Sequence, residues 1–344
     1  MTLSDVHSPQ VAAELIKRLR KRFNSKTCMA PLEDHTSEIV SAHTLSVESM
    51  LRKVSLDGHV YAPNNKSSFS TTELPFEIKR KGIRDVSVFN GFCSKHDRDL
   101  FSCLDKEPFM FSRQQLFMLA YRALSRECYL KRHQVESLPT AEEYASIHGI
   151  TSPMKLSEYG LHLQANFILV AQRIEQLKSK FDSLLLQEDW SRIVSHAILF
   201  PSTPSILSTS CFPPLHDLNG KKLQNYENPD ASSSYIFFSV VPTDCGGAAI
   251  FSWLDENNAA PLRFYESVIS GENIASAVIH AILDNTDNIA ISPKWYESLD
   301  AAQKEYLLSR VMLVEGTISY AFNARPDNAA PFLADWGNAL IANF

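Results

Sequence analysis

The predicted fold depends on residues 89–101, Phe89-Asn90-Gly91-Phe92-Cys93-Ser94-Lys95-His96-Asp97-Arg98-Asp99-Leu100-Phe101. Cys93 and His96 are separated by two residues on a turn that opens a predicted helix, which is a spacing typical of paired metal ligands. Upstream, Cys28, His35 and His43 fall within one short polar segment, where further ligands are most concentrated. Zinc takes four ligands, usually as two pairs that join distant segments. The sequence therefore predicts a zinc site formed by Cys28, His35, Cys93 and His96.

The first ligand pair leaves an alternative open. Cys28 and His35 are separated by six residues instead of two, so His43 could itself be the fourth zinc ligand. The acidic residues Glu33, Asp34 and Glu38 lie near the pair, where they could either assist metal binding or face solvent. Binding by His43 would leave this part of the sequence without a histidine free to act as a base.

Length and composition indicate a folded, soluble protein. The chain has 344 residues, of which 44% are hydrophobic and 21% charged, and this is enough for about two domains. No apolar run reaches the roughly 18 residues that a membrane-spanning helix needs, and the N-terminus lacks the apolar core of a secretory signal. The six cysteines are dispersed between Cys28 and Cys245, which favours reduced thiols or metal binding over a disulfide framework. We expect a cytoplasmic protein.

The order of predicted elements divides the chain into three regions with an α+β fold. Residues 1–110 form the zinc module, with an N-terminal helix over residues 8–23 and an insertion at about 60–85. Residues 111–189 read as a helical region. Residues 190–344 read as an α+β domain of unknown role, built from a small antiparallel sheet with packed helices.

The third region carries the strongest strand signals. Residues 192–200 have strand composition, whereas residues 201–214 are rich in turn-forming residues. Residues 234–241 and 248–253 are apolar and flank the segment Pro242-Thr243-Asp244-Cys245-Gly246-Gly247, which predicts a hairpin.

The zinc module resembles the treble-clef finger of HNH-type nucleases. The residues that carry the resemblance are Cys28, the strand ending Ser41-Ala42-His43, and Asn90-Gly91-Phe92-Cys93 followed by His96-Asp97. The region from Ile39 to Phe101 also resembles a group of bacterial metal-binding proteins, which implies a bacterial protein with a role in phage defence.

Carried over residue by residue, the HNH resemblance implies three catalytic residues. His43 would be the general base, Asn90 would orient it, and Asp97 would bind Mg²⁺ or Mn²⁺. The structural zinc would be held by Cys28, His35, Cys93 and His96. A neutral imidazole with a pKa of about 6.5 can accept a proton from water, and a divalent ion can stabilise charge on a scissile phosphate. Ala42 departs from the family pattern, since an acid or a second histidine often helps to bind the catalytic metal there.

Two functions follow from these observations. One is a metal-dependent endonuclease acting on nucleic acid, which the basic run of the N-terminal helix, Lys17-Arg18-Leu19-Arg20-Lys21-Arg22, would contact. The formal net charge of −6 gives no global attraction to nucleic acid, so binding would depend on such a local patch. The other is a non-enzymatic, zinc-stabilised interaction or sensor module that binds a partner protein or a small ligand. Cleavage activity and its dependence on His43 distinguish the two.

Overall fold

The computed structural model describes most of the chain in separate stretches. The described residues are 26–36, 38–65, 76–137, 153–226, 232–256, 259–315, 334 and 336–344. The predicted N-terminal helix with its basic run, and the centre of the predicted insertion, lie outside these residues.

The fold is a mixture of α-helices and β-strands. The described residues contain ten strands: β1 Ile39–His43, β2 His59–Asn65, β3 Phe76–Gly82, β4 Val88–Cys93, β5 Ile193–Phe200, β6 Ile206–Phe212, β7 Ile236–Thr243, β8 Gly246–Leu254, β9 Ile289–Ile291 and β10 Leu340–Asn343. They also contain nine α-helices: α1 Arg52–Val54, α2 Ser94–Leu100, α3 Ser102–Asp105, α4 Arg113–Glu136, α5 Pro153–Leu186, α6 Ala259–Ile269, α7 Ile274–Asn285, α8 Pro293–Ser298 and α9 Ala301–Glu315. A π-helical turn, Val47–Leu51, precedes α1 directly.

Eight of the strands form one antiparallel sheet in the order β10-β5-β8-β7-β6-β9-β2-β3. β2 and β3, which come from the predicted insertion, join the sheet because Tyr61 of β2 pairs with Ile291 of β9. β6 lies within the stretch that the sequence analysis described as turn-rich, and that expectation was wrong for its seven residues. Every residue of β6 is buried, so packing outweighs the weak local preference of its serine and threonine residues.

The predicted hairpin of the third region is confirmed. β7 and β8 pair from Phe237–Ser252 to Thr243–Gly246, which leaves Asp244 and Cys245 as a two-residue turn. Gly246 has a φ of 137° and a Cβ there would lie 2.1 Å from the carbonyl oxygen of Phe200. Only glycine can therefore occupy this end of the hairpin.

The hydrophobic core of the large sheet lies under α6, α7 and α9. Phe238 and Phe251 from adjacent strands are fully buried, and they pack in the same cluster as Val268 of α6 and Ile282 of α7. Burying such side chains supplies the main driving force for folding, at about 1.5–3 kcal/mol for each large apolar residue.

The chain divides into two compact units, each assembled from segments that are distant in sequence. Among the described residues, the first unit contains 26–36, 38–42, 89–97, 125–137 and 153–187. The second contains 43–65, 76–88, 98–124 and the described residues from 188 onward. The four predicted zinc ligands all belong to the first unit, whereas His43 belongs to the second.

Candidate metal centre

The segment that carries Cys28 is attached to β4 by backbone hydrogen bonds. The N–H of Thr27 donates to the carbonyl of Asn90 (3.2 Å), and the N–H of Met29 donates to the carbonyl of Gly91 (2.9 Å). Gly91 leaves room here for the ring of Phe89, because a Cβ would lie 2.2 Å from that ring and would force it to move. This pairing brings the side chain of Cys28 beside the end of β4.

The second ligand pair stands where β4 passes directly into α2. Cys93 is the last residue of the strand and His96 is the third residue of the helix, and both side chains are buried. The N–H of Ser94 donates to the carbonyl of Glu38 (2.9 Å), next to β1, which neighbours β4 in a two-stranded sheet. The strand-to-helix transition therefore fixes the direction in which both side chains point.

The four predicted ligands meet in one cluster. One ligand atom each from Cys28, His35, Cys93 and His96 lies within 4.8 Å of every other. The Nδ1 atom of His96 lies 3.4 Å from the Sγ of Cys28 and 3.4 Å from the Sγ of Cys93. Tetrahedral zinc with ordinary Zn–S and Zn–N bonds would separate a sulfur and a nitrogen ligand by about 3.5 Å. The cluster could therefore hold a metal ion such as zinc.

The two thiols differ in their electrostatic environment. Burial raises the pKa of Cys28, and the thiol of Cys93 acts in the same direction, whereas hydrogen bonds from the backbone of Cys93 and Ala30 oppose this rise. Burial also opposes ionisation of Cys93, but hydrogen bonds from Thr36 and from the backbone N–H of His96 outweigh it and lower its pKa to about 6. The N–H of Cys93 in turn donates to the Sγ of Cys28 (3.3 Å). Cys93 is thus prepared to act as a thiolate, the form that binds metals.

His35 occupies the exposed side of the cluster. Its ring meets that of His96 edge to face, with 5.0 Å between centroids and 82° between the planes. Its neighbour Thr36 contacts the first residue of α2 through Oγ1 and the Oγ of Ser94 (3.2 Å). Thr36 on one side of His35 and Asp34 on the other, through its contact with His96, therefore hold this segment against α2.

His43 is not a member of this cluster. It ends β1, and its Nε2 lies 3.2 Å from the carbonyl oxygen of Arg84. Burial lowers the pKa of His43 below its ordinary value of 6.5, and Arg122 acts in the same direction. A carbonyl can only accept a hydrogen bond, so Nε2 carries the proton and Nδ1 is the basic nitrogen of the neutral ring.

The other two predicted catalytic residues, Asn90 and Asp97, belong to the first unit. The Oδ1 of Asn90 accepts a hydrogen bond from the hydroxyl of Ser41 (3.4 Å), and its side chain also bonds the hydroxyl of Tyr129. Asp97 lies in the first turn of α2, directly after His96. These contacts show Asn90 joining β1, β4 and α4 within the first unit.

One buried residue near the centre was not identified from the sequence. Lys178 of α5 is only 4% exposed, and its Nζ donates to the carbonyl of Met29 (2.9 Å) and to Asp182 (2.5 Å). It shares a helix face with Ile174 and Phe181, which are both buried and form an apolar stripe on α5. The signal would have been a lysine inside that stripe with an acid four residues later.

Comparisons with known proteins return no relative. No family model, no curated protein and no solved structure matches the chain. Across the helices of the described segments, none is both long and apolar enough to cross a membrane.

Proposed function

We propose that the chain is a zinc-binding protein in which Cys28, His35, Cys93 and His96 hold one structural Zn²⁺ in a treble-clef-like module. The observation that carries the proposal is the cluster of four ligand atoms within 4.8 Å, with both sulfur-to-Nδ1 distances at 3.4 Å. The order of elements also supports it, because the ligand-bearing loop leads into β1, and β4, which pairs with β1, ends at the ligand Cys93 and passes into α2 with the ligand His96.

The donor set favours zinc over the hard cations. Thiolate and imidazole suit Zn²⁺, whereas Mg²⁺ and Ca²⁺ prefer oxygen ligands. Four protein ligands would complete a tetrahedral shell, as in structural sites, whereas catalytic zinc keeps one position for water or substrate. The ion would fasten segment 26–36 to β4 and α2, and we propose that the resulting surface serves as an interaction module.

Zinc stoichiometry tests the proposal. Full-length protein purified without chelator should contain one zinc per chain by elemental analysis, and Cys93→Ser should lose it. Cys245→Ser is the matched control, because Cys245 is exposed in the β7–β8 turn and should leave the zinc content unchanged. A folded wild-type protein that neither contains zinc nor takes it up on titration would contradict the proposal.

A second candidate function is phosphodiester hydrolysis with His43 as the general base. The observation in its favour is that the carbonyl of Arg84 accepts a hydrogen bond from the Nε2–H of His43 while burial lowers the pKa of the ring, which leaves a neutral imidazole with a basic Nδ1 at pH 7. Asn90, Asp97 and a catalytic Mg²⁺ or Mn²⁺ enter this proposal through the HNH resemblance.

Nuclease assays with Mg²⁺ or Mn²⁺ separate the two candidates. Under the second, the wild-type protein cuts DNA or RNA, and His43→Ala abolishes cutting while the zinc content stays intact. His59→Ala is the control, since His59 is an exposed histidine of the same unit and should leave cutting unchanged. Loss of zinc in His43→Ala would instead identify His43 as a ligand and remove the base.

A further inference from the structure

The two ring nitrogens of His96 face different partners. Nδ1 lies 3.4 Å from both sulfur atoms of the cluster, while Nε2 lies 2.9 Å from the Oδ1 of Asp34. The side chain of His96 is only 1% exposed, whereas that of Asp34 is 61% exposed. The carboxylate therefore reaches the buried ring from the solvent side, opposite the ligand atoms.

We infer that Asp34 is a positioning residue for the metal centre. Its carboxylate accepts a hydrogen bond from the Nε2–H of His96 and so turns the Nδ1 lone pair toward the metal. The inference rests on the proposed zinc site. An ionised carboxylate can only accept a hydrogen bond, so the hydrogen of the neutral ring must stand on Nε2. Metal-bound histidines generally donate their other N–H to a carboxylate or a carbonyl in this way, which fixes the tautomer and strengthens the ligand.

Asp34 is itself held by the helix that carries His96. Its second oxygen, Oδ2, forms an ion pair with Lys95, so the two oxygens contact consecutive residues of α2. Asp34 also directly precedes the ligand His35. The hydrogen bond therefore links the His35 segment to α2 independently of any ion, and it brings the exposed ligand close to the buried ones before metal binding.

The two contacts of Asp34 should not contribute equally to zinc affinity. The ion pair with Lys95 is partly exposed on both sides, and such solvent-screened pairs contribute little. The bond to His96 acts on a buried ring that is a ligand, so its loss leaves an N–H without its acceptor and frees the ring to rotate. Removing the charge of Lys95 should therefore weaken zinc binding much less than removing the carboxylate of Asp34.

Zinc affinity, measured by competition with a chromophoric chelator, tests this order. Asp34→Ala should weaken zinc binding by about 10–100-fold. Asp34→Asn keeps an acceptor oxygen and should lose less, and Lys95→Met should stay close to wild type. Glu33→Gln is the matched control, because it removes a neighbouring exposed charge and should leave the affinity unchanged.

A spectroscopic readout separates positioning from a general effect on the loop. Long-range ¹H–¹⁵N correlation spectra of the zinc-loaded wild type should show His96 bound through Nδ1 with a proton on Nε2, and a hydrogen-bonded Nε2 proton signal protected from exchange. Asp34→Ala should lose that protection while Co²⁺ substitution still gives a four-coordinate spectrum.

The outcomes are distinct. If wild type binds zinc and Asp34→Ala binds it with equal affinity, the inference is wrong while the zinc site stands. If wild type binds no zinc, the proposed function fails, and this inference fails with it.

Discussion

Replacing Lys178 with methionine should destabilise the unit that carries the metal centre. The substitution keeps most of the apolar side chain but removes the ammonium group, which contacts the carbonyl of Met29 and the carboxylate of Asp182. Met29 adjoins the ligand Cys28, so the change loosens the attachment of the ligand segment to α5.

The magnitude follows from what each partner loses. A buried carbonyl left without its donor costs about 1–3 kcal/mol. Breaking a fully buried ion pair costs about 3–5 kcal/mol. The side chain of Asp182 is 24% exposed, so water solvates its carboxylate and offsets part of that cost. Burial also lowers the pKa of Lys178, so removing the charge relieves some desolvation. The net loss in the free energy of unfolding should be about 2–3 kcal/mol.

Urea denaturation of zinc-loaded protein, followed by circular dichroism, measures this loss. Lys180→Met makes the same change at an exposed position two residues away and should stay within about 0.5 kcal/mol of wild type. Adding Asp182→Leu to Lys178→Met should restore part of the loss, since the carboxylate that has lost its contact with Lys178 is then gone. Equal stability of Lys178→Met and Lys180→Met would refute the reasoning.

Two further predictions concern Gly91 and His43. Gly91→Ala should lower the free energy of unfolding by about 1–3 kcal/mol, because the added methyl group forces the buried ring of Phe89 to move. Adding Phe89→Leu should recover part of this loss. Thermal melts that find Gly91→Ala as stable as wild type would contradict the clash. Because burial lowers the folded-state pKa of His43, the unfolded chain binds the proton more readily below pH 6.5, so the free energy of unfolding should fall as the pH drops through that value. Urea titrations at pH 7.5 and 5.0 should show a smaller fall for His43→Gln, and an equal fall in both proteins would show that His43 does not contribute.

The metal cluster was predictable because its second half is local. Cys93 and His96 are three residues apart in the chain, and a strand that passes directly into a helix directs both side chains to one side. The choice between His35 and His43 was left open by the sequence, and it is His35 whose ligand atom lies in the cluster. Spacing alone could not decide this, because both histidines follow Cys28 at distances that a flexible loop can span.

The parts that could not be predicted depend on contacts between distant segments. β2 and β3 join the large sheet through the pairing of Tyr61 with Ile291, which no local sequence pattern indicates. β6 forms in a stretch bounded by prolines because every one of its residues is buried. Likewise, Lys178 can attach the Cys28 segment to α5 only because the carbonyl of Met29 lies beside that helix. In each case the outcome depends on contacts between segments that are distant in sequence, which local patterns do not encode.

X-ray absorption at the zinc edge of the purified, zinc-loaded protein tests the central claim most directly. The account predicts two sulfur atoms at about 2.3 Å and two nitrogen atoms at about 2.0–2.1 Å, with the outer-shell scattering of two imidazole rings. A shell made only of nitrogen and oxygen, or a spectrum that Cys93→Ser leaves unchanged, would contradict it.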